Sequence, residues 1–223
     1  MDNIAENAIL TLEQKEFLIS FMQSELNSLF YLTGGTSLSA FYLQHRLSED
    51  LDFFTEQDVD IENILVFLRS IPAIKQISYE RKYDRKIFLL EYPQTIFLKV
   101  EFTKYPFKQL APPQDFGGLL VDSIQDILSN KLMAMTDRRD PKDYIDVYTI
   151  MEAYPFIKIK EAIKQTENKF GIKGVDSILS GRFLEPPLYE GIPLTKKISH
   201  SDIQHFFKET ARTLIRNHIG NEI

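Results

Sequence analysis

Cysteine is absent from the 223-residue chain. Without thiols there are no disulfides and no cysteine-ligated zinc, which suits a reducing compartment. No apolar run approaches the roughly 20 residues that a membrane helix needs. The opening residues, MDNIAENAIL, are acidic and lack the basic start and apolar core of a secretory signal. The expectation is a cytoplasmic protein with no membrane segment. Internal repeats and low-complexity tracts are also missing. So is an excess of positive charge: the formal net charge is −6, which argues against a protein coated in basic residues for nucleic acid but leaves room for a local basic patch. What remains is an ordinary globular composition, 43% hydrophobic and 26% charged, in a length that suits one large domain or two small ones.

The stretch from Tyr31 to Phe54, YLTGGTSLSAFYLQHRLSEDLDFF, organises the rest. It reads as a strand, a turn at Gly34-Gly35, a helix, and a second strand carrying Asp50 and Asp52. Strand side chains repeat with period two, so the two carboxylates share a face. Like charges side by side oppose one another, and a hard divalent cation that takes oxygen ligands would reconcile them. Much of the acid lies between Glu49 and Glu62. Basic residues gather at Arg81, Lys82, Arg85 and Lys86, and again from Lys131 through Arg138, Arg139 and Lys142.

In chain order, Thr11 and Gln14 suit a capping box for a first helix reaching about Leu29, with Phe17, Leu18 and Phe21 on its apolar side. Phe30 to Leu32 form a short strand that the glycines break. Thr36 or Ser37 caps the next helix, through about Gln44. Strand Leu51 to Thr55 follows, and Asp60 opens a helix with Pro72 beyond its end. From Gln76 the period changes to that of three antiparallel strands, with turns at about Tyr83-Asp84 and Pro93-Gln94. In the last of these, Leu98, Val100 and Phe102 fall on one face and Lys99, Glu101 and Thr103 on the other. Glu101 is therefore a third carboxylate on a polar strand face. Prolines and Gly117-Gly118 mark a loop and the internal boundary. Beyond it the pattern is helical: a helix from Asp122 or Ser123, another from Asp140-Pro141, and more near 158–170, 174–179 and 201–219.

Three strand carboxylates beside a glycine turn are parts for a divalent-metal site. The helix after Gly35 turns its free N–H groups and dipole toward that turn, a place for phosphate, where Thr36 and Ser37 can add hydroxyls. Together these suit phosphoryl or nucleotidyl transfer. A solvated acidic strand edge would also account for the aspartates. Arg46 can pair with Glu49 or Asp50 or contact phosphate, and His45 can pin the loop before the acidic strand or serve in proton transfer. The Arg81–Lys86 cluster is either a solvated hairpin face or a phosphate contact.

The segment GGTSLSAFYLQHRLSEDLDFF closely resembles the first motif of the AbiEii/AbiGii toxin family, matched at Gly34, Gly35, His45, Arg46, Ser48, Asp50, Leu51, Asp52, Phe53 and Phe54. DSIQDILSNKLMAMTDR and RRDPKDYIDVYTI resemble its later lysine and arginine/aspartate helices. The resemblance spans about 29–150. It implies an α+β, polymerase β-like nucleotidyltransferase domain at about 1–110, followed by an α-helical domain at about 111–223. It implies a toxin of type IV toxin–antitoxin and abortive-infection systems that moves a nucleotide from an NTP to an acceptor hydroxyl. RNA such as a tRNA 3′ end, or a protein, would be the acceptor, and a cognate antitoxin a partner. Asp50 and Asp52, with Glu101 as third ligand, would hold Mg²⁺ or Mn²⁺. Gly34, Gly35, Thr36, Ser37, Arg46 and Lys131 would hold the nucleotide. Lys131, Asp146 and Asp143 would complete the active site from the helical half, although Asp143 could instead pair with Arg139 at helical spacing. A catalytically weak nucleotide- or partner-binding protein of this fold, or a protein phosphotransferase, are the competing readings. Oligomeric state is left open.

Overall fold

The computed structural model describes residues 4–220, with side chains as far as Arg216. Met1–Asn3, the start of the stretch read for a secretory signal, lie outside the described residues. The chain divides into two compact units: Met1–Phe107 with Pro112–Ser123, and Lys108–Ala111 with Ile124–Ile223.

The first unit opens with α1 (Leu12–Met22), started by the expected capping box: Thr11 Oγ1 accepts from Gln14 N and Gln14 Oε1 accepts from Thr11 N. The helix stops at Met22 rather than near Leu29. Ser24 takes an extended backbone and its hydroxyl donates to Phe21 O at 2.7 Å, satisfying a terminal carbonyl and leaving only a 3₁₀ turn at Glu25–Ser28. Then come β1 (Tyr31–Thr33), α2 (Gly34–Leu38) continuing into a π turn at Ser39–Leu43, β2 (Leu51–Thr55) and α3 (Ile61–Ser70). Thr33, not Thr36 or Ser37, stands at the cap position of α2. Asp60 caps α3 by accepting from Glu62 N. Strands β3 (Gln76–Lys82), β4 (Arg85–Tyr92) and β5 (Ile96–Lys104) form the expected meander, and β6 (Gln114–Asp115) and β7 (Leu120–Val121) follow.

The seven strands make one mixed sheet in the order β3-β4-β5-β2-β1-β7-β6. β5 lies parallel to β2, and β7 parallel to β1. The last two strands occupy what the sequence reads as loop; two-residue strands are too short to show a period of two. One sheet face is apolar and packs on α1 and α3. The Phe21 ring lies 4.3 Å from Phe53 and Phe53 5.2 Å from Phe102, so the alternation read in β5 places Leu98, Val100 and Phe102 inward. The opposite face carries the polar residues of the candidate site.

The second unit contains α4 (Ile124–Asp137), α5 (Pro141–Ala153), α6 (Ile159–Phe170), α7 (Val175–Leu184) and α8 (His200–Gly220). Asp140 caps α5, and Pro141 fills its first position. The Phe207 ring packs between Tyr144, at 5.0 Å, and Phe183, at 4.8 Å. A buried ion pair holds the short incoming segment. Lys169 Nζ donates to Asp126 Oδ1 at 2.7 Å, and the same carboxylate accepts from Leu110 N and Ala111 N. Because both side chains are almost wholly buried, Asp126→Ala is expected to cost about 3–5 kcal/mol by stranding the ammonium. A thermal midpoint unchanged by the substitution would show that this network does not hold the unit. Among the described residues, no helix is long and apolar enough to cross a membrane.

Candidate functional site

Two groups of side chains carry the residues singled out by sequence, one in each unit. In the first unit they assemble around the turn from β1 into α2. Gly34 sits at φ +79°, and a Cβ there would collide with Asp52 Oδ2 and lie 3.1 Å from its Cγ. Only glycine combines that backbone with that closeness. The Asp52 carboxylate therefore rests against the chain where the helix begins and its first N–H groups lack intrahelical partners. Gly34→Ala is expected to destabilise by roughly 1–2 kcal/mol from the left-handed backbone alone, and to lower transfer further by displacing Asp52. Normal activity in this variant would show that the contact is incidental.

Gly35 has a different neighbour. A Cβ there would meet Arg46 Nη2 at 2.6 Å. Arg46 is almost wholly buried and donates to Leu47 O at 3.0 Å. Its guanidinium thus braces the inner side of the turn. His45, also buried, precedes it. The hydroxyls expected to face a phosphate are directed inward: Thr36 Oγ1 donates to Asp50 O, and Ser37 Oγ to Gly34 O at 2.9 Å. Both residues are buried. They lock the turn and the chain before β2 in place, leaving backbone N–H groups of the turn as its donors toward a ligand.

Asp50 lies just before β2 and is partly exposed. Lys99 Nζ reaches its Oδ2 at 2.6 Å. Burial pulls the Lys99 ammonium down, but the Asp50 hydrogen bond and the charges of Asp50, Asp52 and Glu101 outweigh it, and the net shift is upward. Glu101 stands directly opposite Asp52 in the parallel β2–β5 register. It is buried, and Arg85 grips both of its oxygens, Nε to Oε1 at 2.5 Å and Nη2 to Oε2 at 2.6 Å. Thr103 Oγ1 adds a bond to Oε1. The polar sheet face is therefore an alternation of acids and bases: Asp50 with Lys99, Glu101 with Arg85, and Asp52 between them at the glycine turn. Among the described residues, no three His, Cys, Asp or Glu side chains are grouped so as to hold a metal ion.

In the second unit, Lys131 on α4 faces α5 and bonds two aspartates at once, Asp143 Oδ1 at 2.8 Å and Asp146 Oδ2 at 2.7 Å. Arg138 reaches Asp143 as well, Nε to Oδ2 at 2.8 Å. The spacing of three places both aspartates on one helix face, as read from sequence. Both are fully buried. Asp143 pairs with Lys131 and Arg138, whereas Arg139 donates instead to Glu185 O.

Three residues of this site lie outside those singled out by sequence as site residues. Gln14 of the capping box also donates through Nε2 to Ser48 O at 2.8 Å and Glu49 O at 3.1 Å, fixing the loop that delivers Asp50. Lys99 and Arg85 become visible only through register. The Lys99–Glu101 alternation signals a shared face, but the partner strand is not legible before the sheet order is known.

A mixed sheet with this turn and these carboxylates, followed by helices, is the architecture of a nucleotidyltransferase. JHP933 from Helicobacter pylori superposes with a TM-score of 0.61 at 17% identity, covering 95% of this chain and 94% of that one. A putative nucleotidyltransferase from H. pylori gives 0.62 at 16% identity, over 93% and 97%. An uncharacterized protein of Aquifex aeolicus is 27% identical over 215 residues, 92% of this chain and 97% of its own length. The model of the nucleotidyl transferase AbiEii toxins of type IV toxin–antitoxin systems matches residues 16–216. The chain belongs to that family, and it is a nucleotidyltransferase.

Proposed function

We propose that the chain transfers a nucleotide from an NTP to an acceptor hydroxyl, releasing pyrophosphate. The acceptor is RNA, with a tRNA 3′ end as one form of it, or a protein. The activity would act in the cytoplasm as a toxin opposed by a cognate antitoxin. The observation that carries this reading is the Asp52 carboxylate lodged against Gly34. It brings an acidic ligand to the place where backbone N–H groups and a helix start favour phosphate.

Asp50 and Asp52 fit a hard divalent ion, Mg²⁺ or Mn²⁺, by their chemistry and shared face. Mg²⁺ is commonly held by one or two carboxylates and completed by substrate phosphates, which agrees with a donor set that forms no protein cage by itself. Held by Asp50 and Asp52, such an ion would supply neutralisation of phosphate charge during transfer. Glu101 would serve as third ligand once Arg85 turns from it, and that guanidinium would then be released toward phosphate. Gly34 and Gly35 would supply backbone donors. Thr36, Ser37 and Arg46 would keep the turn in shape. Lys131 would act by holding Asp143 and Asp146.

Incubation with α- and γ-labelled NTPs tests the reading. Incorporation of α-label into RNA or protein, lost on chelation of divalent metal, is the expected result. Incorporation of γ-label would instead mark a protein phosphotransferase. No incorporation with any divalent metal would favour a binding role.

A further inference from the structure

Of the basic cluster at Arg81–Lys86, the site described above uses only Arg85. Four of the cluster's six residues are basic, in a chain whose net charge is negative. They occupy the end of the β3–β4 hairpin, where the ladder sets Arg81 opposite Lys86 and Lys82 opposite Arg85. Like charges directly opposite one another in a ladder are destabilising. Two such pairs in succession, one on each sheet face, are what folding alone would avoid. The ion pairs formed nearby go to Lys104 from Asp58 and to Arg85 from Glu101. Among the described residues, Arg81, Lys82 and Lys86 have no carboxylate at ion-pair distance. Their field is felt all the same: Asp58 is held below the usual carboxylate range, first by its hydrogen bond from Lys104 and then by charge that includes Lys86 and Arg81.

Aromatic surface accompanies the charge. Tyr83 at the hairpin tip is 86% exposed and Tyr79 is 42% exposed. Tyr79, Arg81 and Lys86, together with Asp58 and Asp60, line a hollow of about 350 Å³ against the start of α3. Charged residues on an edge strand also guard a sheet against unwanted pairing, and β3 is an edge. That role accounts for Arg81 and Lys82. It does not account for Arg85 and Lys86, which lie on β4 between two partner strands. The cluster is divided between the two sheet faces: Arg81, Lys86 and Tyr79 lie on the face of Phe88 and Phe102, opposite the candidate site. Lys82 and Arg85 share the polar face with Glu101 and Asp52, and β4 stands two strands from β2, about 10 Å at ~4.8 Å per strand.

We propose that the end of the β3–β4 hairpin is the docking surface for an RNA acceptor, taking the phosphates of a single strand on Arg81, Lys82 and Lys86 and its bases on the exposed tyrosines. This rests on the reading that the acceptor hydroxyl belongs to RNA. The occupant follows from chemistry: cations interleaved with aromatic faces suit a polyanion with stacking bases. From Arg81 and Lys86 the strand would pass round the hairpin end to Lys82 and on along the polar face toward Asp52.

Charge reversal separates docking from folding. Arg81→Glu with Lys82→Glu converts both like-charged pairs into opposite ones, so the thermal midpoint is expected to hold or rise. Binding of a fluorescein-labelled single-stranded RNA and of bulk tRNA, followed by anisotropy across a salt series, is expected to weaken about tenfold or more. The slope against log salt should fall by about 1.4, from two contacts at ~0.7 each. Arg81→Ser with Lys86→Ser removes charge without adding any and leaves Arg85 undisturbed; it is expected to weaken RNA binding in the same direction. Binding of a fluorescent NTP should be unchanged in the Arg81→Ser/Lys86→Ser variant. RNA affinity unaltered by either double substitution would overturn the docking surface. So would a wild-type protein that binds no RNA yet transfers α-label to protein, an outcome in which nucleotidyl transfer stands. Failure of the wild type to bind NTP or move α-label would instead strike the functional reading itself.

Discussion

Asp52→Ala is expected to lower nucleotidyl transfer by about 10³-fold or more, ~4 kcal/mol of barrier at 1.36 kcal/mol per decade, in a protein that keeps its fold. The carboxylate sits on the polar sheet face, outside the phenylalanine core that α1 and α3 form with β2 and β5. Its removal leaves that core intact and takes one charge from the opposed Asp52–Glu101 pair. The thermal midpoint should therefore change little. The chemistry should change a great deal, because no neighbouring residue can take its place. Asp50 is engaged by Lys99 and Glu101 by Arg85, and Asp52 alone packs its carboxylate against Gly34. Asp52→Asn keeps shape and volume but removes the charge, and the same loss is expected. Asp52→Glu keeps the charge and lengthens the arm against a backbone with no space for it, so it should rescue little. Transfer of α-label at the wild-type rate by Asp52→Asn would remove the acidic pair from the mechanism. Circular dichroism on the same preparations keeps a folding defect from imitating the result.

The parts of this molecule that sequence discloses are those carried by local spacing. The capping box at Thr11 and Gln14, the Asp60 and Asp140 caps, the three-strand meander and the shared face of Asp143 and Asp146 each follow from residues a few positions apart. What stayed hidden depends on distant pairing. β7 joins the sheet through two residues beside Leu32, and nothing in a dipeptide announces that. The hydroxyls of Thr36 and Ser37 look like ligand donors in a linear reading; only the path of the chain shows Asp50 O and Gly34 O as their acceptors. Arg46 reads as a phosphate contact until the turn is folded over it, when Gly35 proves to be small because the guanidinium lies beneath. The carboxylates themselves were legible, and their counter-ions were not, because Lys99 and Arg85 act across strands whose order no local pattern encodes.

Lys131 tests a different balance, because fold and function depend on it together. A lysine expected on nucleotide phosphates would, when replaced, weaken NTP binding and leave the protein stable. The structure gives it a second duty. Two fully buried carboxylates converge on its ammonium, and Arg138 reaches Asp143 as well. Removing one member of such a buried set leaves uncompensated charge, at a cost of about 3–5 kcal/mol. Lys131→Met is therefore expected to lower the thermal midpoint by several degrees as well as to reduce transfer. By itself that result cannot separate the two duties, but a compensated variant can. Lys131→Met combined with Asp143→Asn and Asp146→Asn carries no buried charge at these positions, and neutral replacements of buried ion clusters are often tolerated. Its midpoint should recover most of the loss. Its transfer activity should not, if Asp146 and Lys131 belong to the active machinery. Recovery of both stability and α-label transfer in the triple variant would return the whole cluster to a structural role. A stable single variant with normal NTP affinity would show that the ammonium is needed for neither.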